Sequence, residues 1–188
     1  MLKCPVTLAV LVLSGAPLQA AEGDPMLQFN DQRFAPRYAY AFHMEVPDLD
    51  AMPAPKDLQD GSSVTVKMKW KKSLAIALSD KPFDTAALAK LDSPLDALDK
   101  MVGAGAMLVT VVAGKSGKID AVRVCLPRSQ TALTLDPSSA TLTLDSPKDG
   151  KLSGRLVIKG DHKMHEFDPQ NVPLVESDIH FMTLAPAR

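Results

Sequence analysis

Cysteine is almost missing from this chain: Cys4 and Cys125 are the only two. Cys4 precedes an N-terminal apolar run, so the remainder of the chain holds one thiol, which cannot close an internal disulfide. The fold must then rest on its core even in an oxidising compartment. Aromatic residues are also scarce, at 5%, which leaves little material for base-stacking platforms or a sugar-binding floor. Neither sign of charge dominates. The 21 Lys and Arg against 22 Asp and Glu give no general attraction to nucleic acid or anionic membranes. No Gly-x-Ser-x-Gly elbow, P-loop, dinucleotide glycine fingerprint, EF-hand loop, Cys-x-x-Cys or His-Glu-x-x-His occurs, so the commonest hydrolase, nucleotide and zinc chemistries lack their motifs. A hydrolase is the most distant reading.

Long hydrophobic runs are lacking too. The longest, Val6 to Leu13 interrupted by Thr7, falls well short of the roughly 20 residues needed to cross a bilayer. With Met1-Leu2-Lys3 before it and Pro17-Leu18-Gln19-Ala20 after it, the run has the form of a secretory signal peptide over residues 1–20. Cleavage after Ala20 leaves residues 21–188 as a single β-rich domain, periplasmic or secreted, with no transmembrane segment after cleavage. No cysteine stands just after the apolar run, in the cleavage region, so a lipid anchor is not expected.

What is present is period-two alternation. In 36-PRYAYAFHMEV-46, Tyr38, Tyr40, Phe42, Met44 and Val46 share one face, and Ala39, Ala41, His43 and Glu45 share the other. The large residues are the expected core face. A proline- and aspartate-rich loop follows over 47–61. Strands are expected at 63–72, with a solvated row of Lys67, Lys69 and Lys71, and at 73–79, with Ser73, Ala75, Ala77 and Ser79 forming a face small enough for close approach of another layer. The segment 84–102 differs: Asp84 and Ser93-Pro94 are helix starts, and Leu95, Leu98, Met101 and Val102 form an apolar stripe. Two short helices are expected in that one connection. Strands resume at 107–113 and 118–126 around Gly114-Lys115-Ser116-Gly117, where Cys125 is a small core residue. A second hairpin is expected from 131-TALTLD-136 and 140-ATLTLD-145. The last expected strands are 151–159, 162–167 and 177–185. This succession describes a mainly β protein, an antiparallel β-sandwich or partly open barrel with two short helices in one connection.

Several landmarks, YAYAF at Tyr38 to Phe42, LSDKPFD at Leu78 to Asp84, AGKSGKIDAV at Ala113 to Val122, SGRL at Ser153 to Leu156 and DIHFMTLAP at Asp178 to Pro186, together resemble a group of small exported bacterial β-rich proteins of unknown function. The group carries a histidine just before its AYAF-like segment, where this chain has Arg37-Tyr38. The resemblance implies an exported, mostly β, single-domain protein and brings no catalytic residue with it.

The segment 162-HKMHEF-167 places two histidines and a methionine within four residues, and 178-DIHFM-182 repeats the His-x-Met spacing. On strands, His162 with Met164 and His180 with Met182 would be same-face pairs. If the two strands were neighbours, those four residues would form a candidate His2Met2 set suited to Cu(I), the one possible cofactor. The alternative is an ordinary solvent face in which Gly160-Asp161 makes a turn and Arg155 stands opposite Glu166. The carboxylate–histidine cluster of His165, Glu166 and Asp168 lacks a nucleophile beside it. The function expected is that of an exported non-enzymatic binding or interaction domain of the bacterial cell envelope, its partner an envelope protein or a small apolar ligand. A periplasmic Cu(I)-binding protein is the alternative.

Overall fold

The computed structural model describes residues 16–17, 26–48, 69–83, 105–114, 118–127 and 132–186. Residues 63–68 of the strand expected over 63–72, the two helices expected over 84–102 and most of the leader lie outside these residues. The strands are β1 (Ala16–Pro17), β2 (Met26–Phe29), β3 (Gln32–Phe34), β4 (Tyr38–Pro47), β5 (Trp70–Ser79), β6 (Leu108–Ala113), β7 (Ile119–Cys125), β8 (Leu133–Leu135), β9 (Ala140–Leu144), β10 (Lys151–Ile158) and β11 (Val175–Leu184). One α-helix, α1 (His162–Phe167), lies among the described residues. Two antiparallel sheets result, ordered β1-β4-β5-β6-β7-β8 and β3-β2-β11-β10-β9. No strand belongs to both, so the sheets do not close into a barrel.

The sheets share one core. Ala39, Ala41, Ile76, Leu78, Val109, Val111, Val122 and Val124 of the first sheet pack with Leu27, Leu152, Leu156, Ile158, Ile179 and Phe181 of the second. Burial of each such Leu, Ile or Phe contributes on the order of 1.5–3 kcal/mol. A buried hydrogen bond also crosses between the sheets, where Thr183 Oγ1 donates to the Ala39 carbonyl at 2.9 Å.

The large-residue face of β4 is buried, but not in that shared core. Tyr40, Phe42 and Met44 form a second cluster with Ala75, Ala77, Leu108, Val112 and Cys125 on the opposite face of the same sheet. β4 alternates large with small rather than apolar with polar. Its alanines let the second sheet approach, and its aromatics fill the other side. The small face of β5, expected from Ser73, Ala75, Ala77 and Ser79, receives them, and Tyr40 faces Ala77 in the ladder.

Three local expectations are corrected. The strands β8 and β9 are not a hairpin: Pro137–Ser139 forms a 3-10 turn capped by Asp136, and the chain passes there from one sheet to the other. Lys71, expected in a solvated row, is mostly buried and reaches Asp120 at 3.1 Å, while Trp70, on the opposite side of the strand, is 59% exposed. The segment 162–167 is helical, as described below. The β2–β3 hairpin was not among the expected elements; its signal is the turn dipeptide Asn30-Asp31, across which Phe29 pairs with Gln32 while Asn30 takes a φ of 49°.

Candidate functional site

The chain between β10 and β11 makes neither a strand nor a tight turn. Asp161 caps α1 by accepting a hydrogen bond from the Met164 N–H at 3.0 Å, and Asp168-Pro169 follows the last helical residue. Lys163, Met164 and Glu166 are good helix formers, and the segment has no β-branched residue. Asp161 and Pro169 were therefore legible start and stop signals, respectively, masked by an accidental period of two.

Helical geometry changes what the histidines can do. At about 100° per residue, positions two apart diverge and positions three apart share a side. His162 turns toward the second sheet, its Nε2 lying 2.9 Å from Glu176 Oε1. His165 turns the same way, its Nδ1 lying 2.6 Å from the Val172 carbonyl. Met164 and Phe167 point outward, 48% and 84% exposed. His162 and Met164 thus do not form a same-face pair.

His180 and Met182 do share a face. Asp178, His180 and Met182 alternate on the solvent side of β11 with the buried Ile179 and Phe181. The ladder sets His180 opposite Arg155 and Met182 opposite Ser153. Arg155 therefore does not meet Glu166. Its guanidinium grips the Asp178 carboxylate through both Nε, at 2.7 Å, and a terminal nitrogen. That fork holds the Asp178 carboxyl below its ordinary pKa, with the charge of His180 adding to the effect. The second sheet's outer face also carries a hydrogen bond from Ser153 Oγ to Asp145 at 2.6 Å. His162 meets β11 at Glu176, four residues from His180, or about 13 Å along the strand. The four candidate copper ligands are therefore divided between α1, with Met164 turned outward, and the outer face of β11. Among the described residues no group of three or more His, Cys, Asp or Glu side chains is placed to hold a metal ion.

The landmark segments do structural work. In 78-LSDKPF-83, Asp80 Oδ1 accepts from the Met107 N–H at 2.8 Å, Lys81 Nζ donates to the Gly105 carbonyl at 2.9 Å, and the Phe83 N–H donates to the Tyr40 hydroxyl at 3.0 Å. The Phe83 and Tyr40 rings lie 4.6 Å apart. The Tyr40 hydroxyl is pushed above its ordinary pKa by burial, partly offset by the Phe83 bond. These contacts fasten the end of β5 to β4 and to the start of β6.

No helix among the described residues is long and apolar enough to cross a membrane. No known family, curated protein or solved structure matches the chain.

Proposed function

We propose that this protein is an exported, non-enzymatic binding domain of the bacterial cell envelope, with a sandwich-like β scaffold and α1 as its contact element. The observation that carries this reading is the pair Met164 and Phe167, apolar, adjacent on one helix side and turned to solvent. Exposed apolar side chains grouped on a fixed element favour a protein partner. Asp161 at the cap and Glu176 against His162 hold that element in place. The space between the sheets is filled by side chains such as Leu27, Ile76, Leu156 and Ile179, all fully buried, which favours the surface over an apolar ligand in the interior. Export rests on the leader of residues 1–20; a mature N-terminus at Ala21 is part of the reading, and cleavage there removes β1, which pairs with β4 only at Tyr38 and Ala39.

The test is affinity capture from envelope extracts with the wild type and with Phe167→Ala and Met164→Ala. A partner retained by the wild type and lost by both variants supports the reading. Identical capture by all three removes α1 from it.

A second reading, Cu(I) binding, now rests on His180 and Met182, which share the outer face of β11. Anaerobic Cu(I) titration against a competing chelator decides it, since binding that His180→Ala and Met182→Ala fail to weaken would not come from this pair.

A further inference from the structure

The strand β9 is the outermost strand of the second sheet. Exposed sheet edges are ordinarily blunted by short length, a lysine, a proline or a bulge. The opposite edge, β3, has three residues and carries Arg33, and β8 in the first sheet has three residues. By contrast β9 runs five residues, Ala-Thr-Leu-Thr-Leu, with no charge and no proline.

Its backbone parity is defined by the bonds at either end of its pairing with β10. The Asp145 N–H donates to the Ser153 carbonyl and the Lys159 N–H donates to the Ser139 carbonyl. Since hydrogen-bonded and non-hydrogen-bonded pairs alternate in an antiparallel ladder, the odd-numbered residues of β9 face β10. Ala140, Leu142 and Leu144 therefore direct their main-chain groups outward. The Ala140 N–H is used within the 3-10 turn, on the Pro137 carbonyl. The Ala140 carbonyl and both groups of Leu142 and Leu144 remain directed at the open edge, where among the described residues no strand lies.

We infer that β9 pairs antiparallel with β9 of a second copy of this chain about a two-fold axis at Leu142, making one continuous sheet across a dimer. The strand is self-complementary in that register. The two Leu142 residues exchange both bonds, and each Leu144 N–H reaches the Ala140 carbonyl of the other copy. Thr141 stands opposite Thr143 of the second copy, a favourable cross-strand pair. Leu142 and Leu144, half-buried at the margin of the shared core, gain Leu142 and Ala140 of the other copy as neighbours. Asp145 comes opposite Ser139, whereas a parallel in-register stack would set Asp145 on Asp145. Because both copies use the same edge, the pairing closes at two and does not propagate.

The test reads the dimer dissociation constant by sedimentation over a concentration series of the purified protein. Thr141 and Thr143 are exposed, and within one chain they stand opposite Val157 and Arg155, so acidic replacements are tolerated by the fold. In the dimer, T141E/T143E sets Glu against Glu at both symmetry-related contacts, while T141K/T143E sets Lys against Glu. The expected result is a dimer for the wild type, a dissociation constant raised by about tenfold or more for T141E/T143E, and recovery for T141K/T143E. In the wild type, the Leu142 and Leu144 amides should exchange more slowly as concentration rises. A wild type that stays monomeric at every soluble concentration overturns the inference. So does a dimer indifferent to T141E/T143E, or one that both double variants weaken equally.

Discussion

His43 is the residue at which chemistry and burial conflict most openly. It lies on the β4 face that carries Ala39 and Ala41, opposite Leu74, with Glu45 and Lys72 at the next pair toward the strand end. Its Nδ1 is buried and has no hydrogen-bond partner among the described residues. Burial lowers its pKa, Lys72 lowers it further, and a backbone contact at Ser73 partly opposes them. The folded protein therefore favours the neutral ring. As pH falls through the ordinary histidine range, near about 6.5, the unfolded chain takes up a proton that the folded chain refuses, and stability declines until pH passes the lower folded value. Replacing His43 by Gln removes this linkage. The melting temperature of His43→Gln should fall less than that of the wild type between about pH 7 and about pH 5. Parallel curves for the two proteins would show that His43 is free to protonate in place.

At the scale of elements, Gly154 shows how a strand is fitted to its neighbours. It faces inward on β10 between Phe181 and Leu144, and a Cβ built on it would lie 2.5 Å from the Thr143 carbonyl oxygen and 2.8 Å from the Phe181 ring. Backbone on one side cannot yield as a flexible side chain would. Gly154→Ala should therefore cost about 1–3 kcal/mol in urea unfolding through overpacking. Gly150, in the β9–β10 turn, has open space around it and a φ of 72°, so Gly150→Ala should cost only about 1 kcal/mol, from backbone strain. Equal effects would mean that the space at Gly154 is not tight. The strands themselves were legible, because alternation over 38–47, 119–125, 151–158 and 175–184, and the short apolar run at 108–113, are bounded by turn residues. The burial of both faces of β4 was not, since a period of two reports that faces differ and not that one of them is wet. The helix α1 was missed because a six-residue segment fits either period, and only its flanks, Asp161 and Pro169, distinguish them. The Arg155–Asp178 fork was beyond reach for the same reason: the register of β11 on β10 depends on a connection that is a helix and loop, not a two-residue turn. Of the candidate site, the sequence made His180 and Met182 neighbours on one face correctly, and it had no means of showing Met164 and Phe167 side by side.

For the molecule as a whole, the question is what ties two sheets that close on neither edge into one cooperative unit. Apolar contact between them is non-directional and leaves their relative slide weakly specified. The Thr183–Ala39 bond is different, being buried, directional and made between one sheet and the other. It joins β11, the middle strand of the second sheet, to β4 of the first. Thr183→Val keeps the shape of the side chain and removes the donor, leaving the Ala39 carbonyl without this partner, at a cost of about 1–3 kcal/mol. Thr183→Ser keeps the donor and loses a methyl group, a smaller cost of about 1 kcal/mol. If the hydroxyl carries the tie, urea unfolding should shift to lower midpoint more for Val than for Ser. The slope of the transition should stay that of the wild type in both, because the surface exposed on unfolding is unchanged. A Val variant at least as stable as the Ser variant would assign the union of the sheets to packing alone. A shallower transition in the Val variant would instead show the sheets separating before they unfold.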